Sequence, residues 1–431
     1  MRSPPNRGMA RLVSTLFNVE QDEAPAVSAG VLMFFFLFTG YFMLRPVRET
    51  MGVAGGVDNL QWLFSATFVA TLAALPMFGW LASKVGRRRL LPWTYAFFGL
   101  NLLCFAAGFA LDTEHLWLAR SFYVWLSVFN LLTISLAWSV LADIFASGQA
   151  RRLFALMAGG ASLGGLTGPI LGTLLVAPLG YAGLLLLSAA FLAASALAAV
   201  WLQRWRDAHP IAGDSTSLRR QPLGGNPFSG ATDVFRSRYL MAIALFVVLL
   251  TSVSTFLYFE QARLVAETWS DPTRQTQVFG IIDTVVQALA ILTQLFITGR
   301  VAQRLGVGVL LVLVPLLVAA GFLWLAFSPV FAAFVVVMVV RRAGEYAFVR
   351  PGREMLYTVV PVTQKYKAKN FIDTVVYRGG DAVSAWLKRG LDLLAEHPAA
   401  AMSIGVGIAV AWAATGGMLG RWHRTLERAQ S

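Results

Sequence analysis

Gly79-Trp80-Leu81-Ala82-Ser83-Lys84-Val85-Gly86-Arg87-Arg88-Arg89 is a short basic connection between two long apolar runs. A connection of similar build, Gly299-Arg300-Val301-Ala302-Gln303-Arg304-Leu305-Gly306, follows 220 residues later. In each, two glycines stand seven apart. Working outward from these loops, apolar runs occupy 28–50, 59–82, 90–111, 117–144, 153–177 and 181–204. A second set occupies 239–267, 275–299, 306–327, 329–360, 368–393 and 398–421. Each is long enough for a membrane helix, which needs about 20 predominantly apolar residues. Between the sets, a stretch near 205–238 contains Pro210-Ile211-Ala212-Gly213-Asp214-Ser215, the composition of a flexible linker.

The whole composition agrees. Of 431 residues, 57% are hydrophobic and only 13% charged, which excludes an ordinary soluble enzyme and a disordered chain. The reading is an all-α integral membrane protein of twelve transmembrane helices. Its expected parts are an N-terminal segment 1–23, a six-helix bundle 24–204, a linker 205–238, a second bundle 239–421 and a tail 422–431. The N-terminal segment lacks the apolar core of a secretory signal, and residues 9–19 could lie on the membrane surface as a short amphipathic helix. A net charge of +13 could suggest nucleic acid, but topology accounts for it and no nucleic acid is expected. Arg2, Arg7, Arg11, Lys84, Arg87, Arg88, Arg89, Arg151, Arg152, Arg300, Arg304, Lys365, Lys367 and Lys369 fall on one side, Arg274 on the other. The positive-inside rule then makes both termini and the linker cytoplasmic.

The halves echo each other elsewhere: Gln149, Arg152, Gly164 and Gly165 match Gln364, Lys367, Gly379 and Gly380 at a fixed offset of 215. This predicts two pseudosymmetric bundles with a substrate path between them. Cys104 stands alone, and His115, His209, His397 and His423 lie in connections or near a terminus. No metal, cofactor or enzyme site is therefore expected.

Ionisable residues inside spans are costly, and they usually face a cavity or one another. Among them, eleven bases (Arg45, Arg48, Arg120, Arg263, Arg341, Arg342, Arg350, Arg353, Arg378, Lys388, Arg389) stand against eight acids (Glu49, Asp143, Glu260, Asp283, Glu345, Glu354, Asp373, Asp381). The surplus favours an anionic substrate. Arg45 with Glu49, Arg341 with Glu345, and Arg350 with Glu354 are four apart and expected to pair, while Arg378 shares a turn with Asp381. Arg48 and Arg378 are expected to reach substrate in one central cavity, with Arg342, Arg353 and Arg45 as further candidates. The guanidinium offers a planar fork of donors to carboxylate or phosphate. Glu49, Glu345, Asp373 and Asp381 are expected to serve these arginines, because a neighbouring positive charge favours the ionised carboxylate. Asp283, with no base on its own helix before Arg300, is the candidate for loading a proton unassisted. Pro46, the Gly159-Gly160 and Gly164-Gly165 pairs, and Gly379-Gly380 are expected to break or loosen their helices; for the pairs near 160, close helix packing is the stronger reading. Trp62, Trp117, Trp125 and Trp269 read as interfacial anchors.

The first loop resembles the G-x-L-a-D-r-x-G-r-r motif of the major facilitator superfamily, with Ser83 where the motif carries Asp. The resemblance implies that Gly79, Gly86, Arg87 and Arg88, with Gly299 and Gly306 in the second half, act as gating loops. Two further sets of residues are more specific. Tyr41-Phe42-Met43-Leu44-Arg45-Pro46-Val47-Arg48-Glu49-Thr50-Met51-Gly52-Val53 forms one. Arg353-Glu354-Met355-Leu356-Tyr357 and Lys365-Tyr366-Lys367-Ala368-Lys369-Asn370-Phe371-Ile372-Asp373, with Arg378-Gly379-Gly380, form the other. They resemble the nucleotide transporters of the ATP:ADP antiporter family. That resemblance implies a facilitator-like twelve-helix fold, nucleotide exchange, and Arg48 and Arg378 in the places of two substrate-binding lysines. Ser127 occupies about the place of that family's fourth-helix glutamate, and Glu260 is out of register with its seventh-helix glutamate.

The expectation is a secondary transporter for a small organic anion, a nucleotide or phosphate-bearing metabolite, in a bacterial inner membrane. It would work by alternating access and antiport, as a monomer in the lipid bilayer. Alternatives are a proton-coupled facilitator using Asp283, Glu345 or Asp373, and a non-transporting membrane scaffold.

Overall fold

The computed structural model describes residues 20, 22–111, 116–145, 147–209, 230–328, 330–394 and 398–430. The surface helix expected at 9–19, most of the linker, His115 and His397 lie outside these. The described residues are almost wholly helical. In chain order they form α1 (Ala24–Ala54), α2 (Leu60–Lys84), α3 (Arg87–Leu111), α4 (Leu116–Ile144), α5 (147–179), α6 (181–208), α7 (Arg238–Thr268), α8 (Pro272–Leu305), α9 (Val307–Phe327), α10 (331–356), α11 (362–394) and α12 (Pro398–Gln430).

Nine segments among the described residues are long and apolar enough to span a membrane. One of them, Ser147–Ala208, is two helices bent at Gly180, whose φ of 61° only glycine adopts without strain. The remaining two spans, α10 and α11, are too charged to meet that criterion and bring the total to twelve. The expected spans therefore exist, although α12 continues through the expected tail to Gln430.

Two compact units divide the chain. Unit 1 comprises Met1–Arg48, Phe78–Leu118 and Leu126–Gly224; unit 2 comprises Glu49–Met77, Ala119–Trp125 and Gly225–Ser431. In unit 1, α5 lies directly on α1. Gly160, Gly164, Gly168 and Gly172 face Val31, Phe35, Thr39 and Met43 in turn. A Cβ at these glycines would stand 2.3, 2.5, 2.7 and 2.8 Å from the respective α1 carbonyl oxygens. Spacing of four on both helices gives a continuous seam, the small-residue packing that membrane helices use when lipid removes the hydrophobic drive. The glycines thus join helices rather than loosen α5. Ser188 and Ser195 of α6 add hydroxyl bonds to the α1 carbonyls of Gly40 (3.2 Å) and Met33 (2.8 Å).

In unit 2 the core gathers Phe246, Leu250 and Leu257 of α7, Leu311 and Phe322 of α9, Phe334 and Met338 of α10, and Trp412 of α12. Two expected breaks are absent. Helix α1 runs through Pro46 without interruption. The irregularity in α11 falls at 372–376, while Gly380 serves close packing, its Cβ position lying 2.5 Å from Thr251 Oγ1 of α7.

Candidate functional site

Three helices of unit 2 each contain one π turn: Gln294–Thr298 in α8, Glu345–Val349 in α10 and Ile372–Val376 in α11. A π turn inserts a residue into the α ladder and releases a carbonyl that hydrocarbon cannot satisfy. Side chains of α8 fill that need in α10: Gln294 Nε2 donates to the Tyr346 carbonyl at 2.9 Å, and Thr298 Oγ1 to that of Ala347 at 2.8 Å. In α11, Thr374 Oγ1 donates to the Asn370 carbonyl at 2.7 Å.

Around these turns lies a network of buried charge. Arg341 Nη1 donates to Glu345 Oε2 at 3.0 Å and to Ser254 Oγ at 2.6 Å, with both charged residues 7% exposed. Arg342 Nη2 stands 2.5 Å from Asp283 Oδ1; the angle makes this an ion pair rather than a directed hydrogen bond. Arg353 pairs with Asp373 across α10 and α11 at 3.2 Å, and Lys369 with Glu354 at 2.5 Å. Arg378 stands 3.7 Å from Asp381, one turn along α11.

These pairs correct two expectations. Asp283 is not an unassisted acid, because α10 presents Arg342 to it. Nor do Arg350 and Glu354 form the expected couple. Within a π turn, residues five apart come onto one face, so Arg350 reaches Glu345 at 3.9 Å and sets its guanidinium 4.5 Å over the Tyr346 ring. Glu354 is left to Lys369. The expected pairs Arg341 with Glu345 and Arg378 with Asp381 are present. Tyr377 lies within electrostatic reach of Glu345, Asp381, Arg350 and Arg378. Tyr346 and Tyr377 carry no signal in the sequence, which offers Arg350 only as the partner of Glu354.

The other expected residues are placed as follows. Arg45 and Arg48 are half-buried in unit 1, Arg45 lying 5.8 Å over the Phe42 ring, whereas Glu49 is buried in unit 2. Arg48 and Arg378 thus belong to different units. In the first loop Arg88 pairs with Asp207 of α6; the side chains of Ser83 and Arg87 lie outside the described residues. Gly79 and Gly299 lie within helices with open space beside them, and Gly306 turns α8 into α9 at φ 78°.

Unit 2 also shows a stitched end that nothing in the sequence announced. Arg389 pairs with Asp58 at 2.7 Å, Trp386 Nε1 donates to Ser65 Oγ at 3.0 Å, and the Trp386 and Trp62 rings meet edge to face at 4.8 Å. Tyr123 and Tyr258 join through their hydroxyls at 3.0 Å, as do Thr50 and Thr276 at 2.7 Å. Arg120 donates twice to the Gly55 carbonyl, at 3.0 and 3.2 Å, which explains its place in α4. Trp62 is therefore a packing partner as well as an exposed ring. His423 is buried in the continued α12, with Nε2 3.1 Å from the Met355 carbonyl and 3.2 Å from Thr358 Oγ1.

Twelve helices, ten of them long and apolar enough to cross a membrane and two, α10 and α11, carrying paired charge, define a multi-pass membrane protein. The chain belongs to the Major Facilitator Superfamily, whose family description matches residues 30–265. No curated protein sequence matches it. Among solved structures, a POT family transporter in complex with a thioalcohol-conjugated peptide aligns over 93% of this chain and 96% of its own, with TM-score 0.65 and 10% identity. The nucleoside transporter NupG aligns over 93% and 99%, with TM-score 0.62 and 14% identity. A bacterial homologue of the iron transporter ferroportin, in an inward-facing state, aligns over 93% and 98% with TM-score 0.63 and 12% identity. At such identities these likenesses concern the fold alone.

Proposed function

We propose that the chain is a secondary transporter that exchanges organic anions, nucleotides or other phosphate-bearing metabolites, by alternating access. The observation that carries this reading is the arginine-rich interior of α10 and α11. Arg341, Arg342, Arg350, Arg353 and Arg378 stand there with Tyr346 and Tyr377 among them. Guanidinium groups offer paired donors to phosphate or carboxylate oxygens, and a tyrosine ring offers a face to a planar group. The resemblance of Arg48 and Arg378 to two substrate-binding lysines of the ATP:ADP antiporter family supports the same chemistry. A joint role of these two arginines on one anion is part of the proposal, as are the bacterial inner membrane, cytoplasmic termini and a monomer. Alternating access would require the contacts around Trp62, Trp386 and Arg389 to open in another state.

Antiport is favoured over proton coupling because protonating Asp283, the obvious carrier in the sequence, would leave Arg342 buried without its carboxylate. The test is uptake into proteoliposomes. Labelled nucleotide or sugar phosphate should accumulate only when the vesicles are preloaded with an exchangeable anion, and without response to uncouplers. Arg48→Ala and Arg378→Ala should each weaken binding by about 1.5–3 kcal/mol, or roughly ten- to more than a hundredfold. Uptake into empty vesicles driven by an imposed pH gradient would overturn antiport.

A further inference from the structure

Within unit 1 a cavity of about 400 Å³ opens where α3 begins and α4 and α6 end. Gly86, Arg88, Arg89, Val140, Asp143, Ile144, Gln203, Arg206 and Asp207 line it. Arg206 is buried at 4% exposure and donates from Nη1 to the His209 carbonyl at 3.1 Å, whereas Arg88 and Arg89 are exposed. Three arginines face two aspartates, and Arg88 already pairs with Asp207. The cavity is therefore net positive, with apolar Val140 and Ile144 in its wall.

Its height relative to the bilayer can be read from two antiparallel helices. Helices α3 and α6 run side by side, joined by Arg88 with Asp207 at one end and by the Phe109 and Tyr181 rings, 5.9 Å apart, at the other. That register sets Trp93 of α3 level with Trp201 of α6, and Phe97 level with Leu197; all four are exposed. Exposed tryptophans mark the boundary of the hydrocarbon, and the phenylalanine and leucine continue into it. Six residues separate Trp201 from Asp207, about 9 Å of helix, so the arginines stand at headgroup level. A basic pocket between helix ends at that height suits a lipid phosphate.

We propose that this cavity binds the phosphate of an anionic phospholipid, with Arg88, Arg89 and Arg206 as donors and the acyl chains passing Trp93 and Trp201. Asp207 competes with the lipid for Arg88, so the lipid and the ion pair exchange at one site. The inference is independent of the solute carried.

Purified protein in neutral detergent, titrated with phosphatidylglycerol, tests it by native mass spectrometry and by thermal melting. Tight saturable binding of one lipid is expected, with phosphatidylcholine far weaker. Arg88→Ala and Arg89→Ala should each weaken that binding about fivefold. Both residues are exposed, so their removal should leave folding intact, whereas Arg206 also holds the end of α6 and is left in place. Asp207→Asn carries the discriminating sign: freeing Arg88 should tighten phosphatidylglycerol binding, while a purely structural ion pair would only lower the melting temperature. The proposal is overturned if the double variant Arg88→Ala/Arg89→Ala binds the lipid as wild type does, or if Asp207→Asn weakens binding. Inorganic phosphate or glycerol phosphate stabilising the protein as much as phosphatidylglycerol would overturn the lipid as occupant.

Discussion

Replacing Asp283 by Leu should destabilise the protein severely, and replacing Arg342 by Met at the same time should restore most of the loss. The two groups are 2 and 7% exposed and 2.5 Å apart. Around them Ile282 and Val286 of α8 and Val339 of α10 form an apolar cluster, with Val278, Val335 and Tyr346 packed against it. Taking about 4 Å between charge centres and an effective dielectric constant near 20, the attraction is about 4 kcal/mol. Removing only the carboxylate forfeits that attraction and keeps the desolvation cost of the guanidinium, so the expected loss is about 3–5 kcal/mol. The double variant Asp283→Leu/Arg342→Met removes both charges and keeps apolar volume, and should lie within about 1 kcal/mol of wild type or above it. Unfolding of the detergent-solubilised protein by heat and by denaturant, followed by helical circular dichroism, measures all four members of the cycle. Single variants that each lose less than about 1 kcal/mol would show a hydrated pair and refute the argument. Strict additivity would show that the two groups do not feel each other.

The seam between α1 and α5 makes an equally direct prediction: Gly164→Leu, whose Cβ would stand 2.5 Å from the Phe35 carbonyl oxygen, should separate the helices and sharply lower the melting temperature. The same change at Gly159, where nothing lies within 4 Å of the Cβ position, should be tolerated. Thr298→Val keeps shape but strips the hydroxyl from the Ala347 carbonyl, and should cost about 1–3 kcal/mol in the same unfolding assay. A neutral outcome there would mean that the π turn of α10 does not depend on α8.

Hydropathy carries long-range information only where a helix faces lipid or apolar protein, which is why, of the twelve spans read from the sequence, ten form helices that qualify by length and apolarity alone. Charge placement supplied the rest of the outline. Arg341 and Glu345, or Arg378 and Asp381, were legible because both partners sit on one helix at ordinary spacing. Asp283 with Arg342, Arg353 with Asp373 and Lys369 with Glu354 were not, since each is made by two helices whose relative rotation no local pattern records. The glycines at 160, 164, 168 and 172 show the intermediate case. The paired glycines near 160 read as a packing face, but only the facing carbonyls of α1 reveal its partner and its extension through Gly168 and Gly172.

The π turns explain the sharpest misreading and also why such a network can exist in a membrane. A regular α10 would carry Arg350 toward Glu354, leaving Glu345 to Arg341 and removing the guanidinium from Tyr346. One inserted residue turns the following helix enough to bring Arg350 back over Glu345 and Tyr346, at the cost of carbonyls outside the α ladder. Hydrocarbon would make those carbonyls expensive, so the insertion is stable only where a neighbouring helix offers donors. Gln294 and Thr298 are those donors, and they sit on a π turn of their own in α8. Polar residues without charge, in a helix otherwise facing lipid, are thus the sequence trace of an irregularity in the next helix. Since α8 also carries Asp283 to Arg342, its position sets both the shape of α10 and the charge state that α10 can sustain. Movement of α8 relative to α10 would therefore disturb the arginine network at two points together, which is the coupling between helix motion and these arginines that the proposed anion exchange requires.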